Sequence, residues 1–169
     1  MVRSACCLFR LLSKSAGIKG HPEKDAPYFG RGEMKDSLYD DTIVRPALAI
    51  ATRTANTAVN GLTVDMTYQK NMFRSIMFVI QTGTVTDGTT TFTMQDSDDG
   101  SGWTAVNSAF VQGTLPVVTS TNDDIVYEVG YTGERRYVRL VATQAGATSG
   151  ATIGALAILS SPRKTPVSR

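Results

Sequence analysis

The chain has 169 residues, of which 41% are hydrophobic and 19% are charged, a composition typical of one folded domain rather than a disordered or membrane-embedded chain. Its net charge is +2, but residues 1–33 hold six basic and three acidic residues, so the rest of the chain carries −1. A near-neutral domain lacks the basic face that phosphate binding requires, so we expect no nucleic acid partner.

Residues 1–33 look unrelated to the domain that follows them. They show no helical or alternating period and contain several Gly and Pro turn signals, so we expect a disordered N-terminal extension. Arg10 interrupts the apolar residues 5–12, which argues against a secretory signal peptide. The basic, acid-free start of the extension has some features of an organelle presequence.

A second interpretation of this extension is that it precedes the true start of the protein. Gly32 and Glu33 would be encoded by a purine-rich run directly before the Met34 codon. Such a run resembles a bacterial ribosome-binding site. We therefore hypothesise that translation begins at Met34.

The first half of the domain is predicted to consist of short strands. Residues 34–46 form a polar, extended arm, and residues 47–52 are the first predicted strand. Alternating apolar residues then place one face of a second strand against the core, namely Leu62, Val64 and Met66.

The central strand of a sheet is predicted at residues 75–81. This segment is apolar at consecutive positions, as expected of a strand that is covered on both faces. Residues 89–95 alternate Phe92 and Met94 with threonines, and the Thr-Asp-Gly sequence before them predicts a hairpin with residues 75–81.

The second half continues the same pattern after a polar turn at residues 96–103. Shorter strands are predicted at residues 103–106, 110–112 and 117–118. Longer strands follow, one with Ile125, Tyr127, Val129 and Tyr131 on one face and another with Val138, Leu140 and Ala142 on one face. Residues 153–159 are predicted to form the last strand.

Together these segments predict an all-β domain of about eight strands, a two-sheet sandwich or jelly roll over residues 47–160. No segment has the residues or the period of a long amphipathic helix. The stretch around Gly146, Gly150 and Gly154 is too short and too polar to span a bilayer, so we expect no membrane partner. Residues 161–169 are predicted to form an exposed tail.

The residues that most often carry catalysis are missing from the domain. Both cysteines, Cys6 and Cys7, and the only histidine, His21, precede Met34. The remaining carboxylates lie in Gly-, Ser-, Thr- or Asn-containing turns, where a short acid normally bonds to its own backbone. We therefore expect a protein that is not an enzyme and uses no cofactor, with hydrolysis by paired aspartates as a third hypothesis.

Three other groups of side chains are candidates for binding. Asp96, Asp98 and Asp99 superficially match a calcium loop, but residues 103–109 contain no acid to complete it, so we expect no metal site. Arg135, Arg136 and Arg139 could contact acidic groups of a partner. Trp103 could stack on a sugar, although a lone tryptophan after a turn more often seals the edge of a sandwich.

Two segments of the sequence carry a resemblance to a known class of proteins. They are FTMQDSDDGSGWTAV at residues 92–106 and ERRYVRLVA at residues 134–142, supported by LYDDTIVRPA at residues 38–47. With them, residues 35–169 resemble small β-sandwich structural proteins of tailed bacteriophage virions, associated with the head. Shorter pieces of the same segments resemble galactose-binding-like sandwiches, but the paired cysteines of that family are missing.

The resemblance implies a virion structural protein that assembles in the host cytoplasm. We expect a decoration or stabilising subunit that binds the major capsid protein or other virion proteins, with Tyr39 and Arg45 of the arm as further contact candidates. The arm and tail would lie over neighbouring subunits. The alternative is a carbohydrate- or receptor-binding module of a tail or secreted protein. We also expect a homo-oligomer, for which a symmetric trimer is one arrangement.

Overall fold

The computed structural model describes residues 37–169, so the predicted N-terminal extension and the first residues of the arm lie outside the described part. One short helix, α1, spans Leu38–Asp41, and a single 3₁₀ turn spans Ser108–Phe110. Within the described residues no helix is long and apolar enough to cross a membrane. The strands are β1 Ile43–Arg53, β2 Ala58–Asn60, β3 Val64–Asp65, β4 Thr67–Tyr68, β5 Asn71–Val85, β6 Thr89–Ser97, β7 Thr104–Ala105, β8 Val111–Gln112, β9 Val117–Val118, β10 Val126–Tyr131, β11 Tyr137–Ala145 and β12 Ala151–Pro162.

The strands form two antiparallel sheets, which confirms the predicted all-β sandwich. Sheet A has the order β1-β12-β5-β10-β8, with β4 also paired to β5. Sheet B has the order β2-β11-β6-β7, with β3 paired to β11 and β9 paired to β6. The first and last strands pair, and each sheet takes strands from both halves of the chain, which is the interleaved order of a jelly roll.

The core lies between the two sheets and follows the alternation of the strands. Ile76, Phe78 and Ile80 of β5 point inward from sheet A, and all three are almost completely buried. From sheet B, Phe92 and Met94 of β6 meet them together with the predicted inward residues of β11, Val138, Leu140 and Ala142. Because side chains alternate along a strand, the period-two pattern identified the core residues of β6 and β11, whereas in the unbroken apolar run of β5 only the fold separates inward from outward positions.

The predicted hairpin between residues 75–81 and 89–95 is wrong, because the two segments belong to different sheets. β5 pairs with β10 and β12, whereas β6 pairs with β11. At the crossing, the Asp87 carboxylate accepts hydrogen bonds from the backbone N–H groups of Thr148, Ser149 and Gly150. These bonds hold the β5–β6 connection against the β11–β12 connection, so both cross between the sheets at the same end.

Leu62 also departs from the expected strand face. It is 49% exposed and lies between β2 and β3, whereas Val64 and Met66 are buried as predicted. The Gly61 N–H donates to Leu140 O of sheet B, and the Leu62 N–H donates to Ala47 O of sheet A, both at 2.7 Å. The chain therefore bridges the sheets at this point, and the alternation is interrupted.

The described parts of the arm and the tail are held against the domain and against each other. Residues 43–46, expected in the arm, already belong to β1. In the tail, Val167 is buried and its N–H donates to Asp40 O at 2.9 Å, while the Asn71 side chain donates to Lys164 O at 2.7 Å. Both segments therefore contact their own domain, while most side chains of the tail remain exposed.

Candidate protein-binding surface

The three aspartates considered for calcium do not converge on one point. Asp99 closes its own turn, where its carboxylate accepts hydrogen bonds from the Ser101 hydroxyl and from the N–H groups of Ser101 and Gly102. These bonds, together with one from the Ser97 hydroxyl, hold the pKa of Asp99 far below its ordinary value of 3.8. Asp99 therefore has the role that a turn aspartate normally has.

Asp96 faces the interior and has different partners. It accepts a hydrogen bond from the Tyr131 hydroxyl at 2.9 Å and lies 3.3 Å from Nη1 of Arg135. Asp98 lies 3.7 Å from Nε of the same Arg135. Burial, followed by the hydrogen bond to Asp96, raises the pKa of Tyr131 to about 12. Across residues 37–169 no three His, Cys, Asp or Glu side chains are grouped closely enough to hold a metal ion.

The other arginines predicted to contact a partner are also engaged within the chain. Arg136 forms a two-bond ion pair with Asp65, at 2.9 and 2.7 Å. Burial raises the pKa of Asp65, but the bonds from Arg136 and from the Thr67 N–H outweigh it and leave the pKa below its ordinary value. Arg139 faces outward from sheet B as predicted, and both its Nε and Nη2 donate to Gln95 Oε1.

The aromatic candidates are stacked on guanidinium groups. The Arg139 guanidinium lies 4.1 Å from the ring centre of Trp103, so it occupies one face of the indole. Arg169 lies 3.5 Å from the ring centre of Tyr39 and donates to Thr42 O at 2.9 Å. Arg45 lies over the ring of Tyr68 at 4.3 Å. A partner that recruits these cations must therefore compete with contacts that already exist.

A different surface, which the sequence argument did not single out, presents exposed apolar side chains. It is the outer face of sheet A, and we call it the open face. Four large apolar side chains are strongly exposed on it: Ile50, with 74% exposure, Val126, with 54%, Val44, with 52%, and Leu156, with 49%. The open face consists of the outward residues Val44, Pro46, Ile50, Met77, Val79, Gln81, Val126, Glu128, Gly130, Gly154, Leu156 and Ile158.

The strand pairing arranges the open face in three rows that cross β1, β12, β5 and β10. The first row is Val44, Ile158, Met77 and Gly130, and the second is Pro46, Leu156, Val79 and Glu128. The third is Gly154, Gln81 and Val126, with Ile50 of β1 lying against Gly154 at the register shift. Glu128 at the β10 border is the only charged residue in these rows. A shallow cavity of about 330 Å³ lies within the face, lined by residues that include Pro46, Ile50 and Leu156.

The open face explains why residues 75–81 are apolar at consecutive positions. The prediction that this strand is covered on both faces holds within the chain for one face only. Ile76, Phe78 and Ile80 fill the core, while Met77 and Val79 point to the open face and keep part of their surface exposed. A contiguous exposed apolar patch of this kind is a candidate site for contact with another molecule.

The border of sheet A favours contact through the face rather than through the edge. β1 is the edge strand next to the open face, and it contains Pro46, which has no N–H group to donate. The pairing of β1 with β12 also shifts register between Pro46 and Leu48 and again between Leu48 and Ala51. Proline and bulges of this kind hinder the addition of another strand.

The comparisons with known proteins define a fold but no family. No family model matches the chain, and no curated protein matches it. The crystal structure of PBSX exported protein XepA is similar over 75% of this chain and 39% of that one, with 13% identity and a TM-score of 0.50. The chain thus spans about two fifths of the length of XepA. The SPBc2 prophage-derived protein YomS is similar over 72% of this chain and 94% of that one, with 16% identity and a TM-score of 0.40.

Proposed function

We propose that this protein is a structural component of a bacteriophage virion, a capsid-associated decoration or stabilising subunit that binds the major capsid protein and catalyses no reaction. The observation that carries the proposal is the open face, an apolar surface of the sandwich whose one charged residue, Glu128, lies at its border. Exposing such a surface is unfavourable in water, so it suits a protein that spends its functional life in contact with other proteins.

Two further observations support a virion role. The segments at residues 92–106 and 134–142 resemble head-associated phage proteins, and the sandwich shares its fold with XepA, described as an exported protein of PBSX. The aspartates that could have supported hydrolysis are engaged in a turn and in ion pairs. A binding role therefore explains the exposed apolar face, whereas a catalytic role would need aspartates that are already engaged.

The structure alters one part of the expected binding mode. The sequence led us to expect that the arm and tail cover neighbouring subunits, but their described residues pack on their own domain. We therefore assign binding to the faces of the sandwich and not to flexible ends.

Stoichiometry in purified particles tests the virion role. Quantitative mass spectrometry should find this protein at a copy number comparable to that of the major capsid protein. Particles stripped of the protein should take it up again when it is added back in purified form. Absence from particles, or the few copies expected of a vertex or tail component, would contradict a decoration role.

The carbohydrate-binding alternative depends on Trp103, and one variant can distinguish it from the decoration role. Because Arg139 already covers one face of the indole, a sugar could stack only on the other face. Under the decoration proposal, Trp103→Ala rebinds to stripped particles as the wild type does, and neither protein binds a glycan array. Glycan binding that is lost in Trp103→Ala would support the alternative instead.

A further inference from the structure

We infer that the open face is a self-association surface, through which two copies of this chain pack sheet to sheet around a twofold axis. This inference goes beyond the virion role: it assigns the open face to a second copy, so that virion proteins would bind the remaining surfaces of the dimer. Its basis is the area, the charge and the row geometry of the open face.

The area of the open face is close to what a stable dimer requires. Four of its apolar side chains are about half or more exposed, and the patch extends over four strands and three rows, so its extent approaches the about 800 Å² that each partner buries in a standard interface. Four of the six central positions, on β12 and β5, are large and apolar, namely Ile158, Leu156, Met77 and Val79. Gln81 is the one polar central residue, and the single charged residue, Glu128, lies at the border.

A second copy is a suitable occupant because the rows of the face complement themselves. Consider a twofold axis that is parallel to β5 and β12 and runs midway between them, above the sheet. It brings β12 of one copy over β5 of the other, and β1 over β10. Leu156 then faces Val79 of the second copy, and Ile50 faces Val126 of the second copy.

This arrangement fits the relief of the face. Val126 of the second copy, which is half exposed, is placed over Ile50 at the rim of the shallow cavity that Ile50 and Leu156 line. Two sheets in face-to-face contact pack about 10 Å apart with interdigitating side chains. The contact is isologous, so it closes at two copies and leaves sheet B free for other partners. It therefore favours a dimer over the trimer that sheet edges alone would suggest.

The first test is the mass of the full-length protein in solution, measured by sedimentation velocity or by light scattering during size exclusion. We expect twice the 18.1 kDa of one chain for the wild type. Leu156→Glu should raise the dissociation constant of the dimer by roughly 100-fold or more, because it places two unpaired charges in an apolar contact.

Leu62 provides a matched control for Leu156. It is the same residue with the same 49% exposure, but it lies outside the open face. Leu62→Glu should therefore remain a dimer. If Leu62→Glu dissociates as readily as Leu156→Glu, the effect is not specific to the open face and the inference fails.

A mixing experiment tests the register of the two copies. The dimer contains two Ile50–Val126 contacts, related by the twofold axis. Ile50→Lys and Val126→Glu should each be monomeric, because each substitution puts an unpaired charge into both of these contacts. A mixture of the two variants should dimerise, because the introduced lysine of one variant meets the introduced glutamate of the other. Within one chain these positions lie on β1 and β10, with β12 and β5 between them, so they cannot pair internally. A mixture that stays monomeric would overturn the twofold arrangement.

Other occupants of the face give different results. A monomeric wild type at about 100 µM or more, the upper range of dissociation constants for a weak dimer, would overturn the inference. The face would then be covered by residues 1–36 or reserved for a different protein. A trimer would also overturn it, since an isologous contact cannot close a ring of three. A dimer that is absent from virions would leave this inference standing and refute the proposed function instead.

Discussion

The hydrogen bond between Tyr131 and Asp96 offers a direct test of how the end of the sandwich is held together. Tyr131 is 2% exposed, and its hydroxyl donates to Asp96 Oδ2 at 2.9 Å while accepting from the Arg135 N–H at 3.2 Å. Tyr131→Phe keeps the ring in the core and removes only the oxygen. It leaves a buried carboxylate oxygen without its donor and a backbone N–H without its acceptor.

The expected loss follows from the nature of the bond. A hydrogen bond to a charged group contributes about 1.5–3 kcal/mol, so we expect Tyr131→Phe to lower the free energy of unfolding by about 2 kcal/mol. For a domain of this size the melting temperature should fall by roughly 6–10 °C. Tyr127→Phe is the matched control, since the Tyr127 hydroxyl donates to a neutral acceptor, Asn122 O, and is only partly buried. Tyr127→Phe should lower the free energy of unfolding by about 1 kcal/mol or less.

Urea denaturation monitored through the fluorescence of Trp103, the only tryptophan, measures both variants. The pKa of Tyr131 is raised from 10.0 to about 12 in the folded state, so its contribution is fully present below pH 10. It is lost as the pH rises from 10 towards 12, because the unfolded chain releases the proton first. The stability difference between wild type and Tyr131→Phe should therefore shrink over that range. Equal losses in the two Phe variants, or a difference that does not depend on pH above about 10, would refute this reasoning.

Two further predictions concern turns. Asp99 has a lowered pKa in the folded state, so the stability it contributes is present above about pH 4 and is lost as the pH falls further. Acid titrations of stability should therefore be shallower for Asp99→Asn than for wild type, and equal slopes would contradict this prediction. Gly150→Ala should cost roughly 2–4 kcal/mol in thermal unfolding, because φ is +81° and its Cβ would lie 1.9 Å from Arg53 O. Gly102→Ala, with no contact under 3.7 Å, should cost less than about 1 kcal/mol, and equal losses would contradict the steric argument.

The fold class and most of the core could be predicted from the sequence. Inward positions such as Phe92, Val138 and Leu140 follow from alternation, which is a local property of a strand. The pairing of the strands could not be predicted in the same way. The Thr-Asp-Gly turn at residues 86–88 suits a hairpin, but bonds from Asp87 to residues 148–150, distant in the sequence, direct the chain to the other sheet.

The candidate binding residues, too, could be predicted from the sequence only in part. Arg135, Arg136 and Arg139 could be identified as a group because they are close in sequence, yet each has a different partner in the fold. The open face was missed because its members come from four strands that the sequence separates widely. The only local signal was the unbroken apolar run at residues 75–81, which indicated two covered faces without indicating what covers the second.

By itself, therefore, the sequence determined the alternation of the strands, the all-β class and the location of the polar turns, because these depend on neighbours along the chain. The tertiary structure decided which strands share a sheet, which cations are already paired and which apolar residues remain exposed. These properties depend on contacts between residues far apart in the chain. An apolar side chain looks the same in the sequence whether it points to the core or to a second molecule, and only the completed sandwich distinguishes Val79 from Phe78.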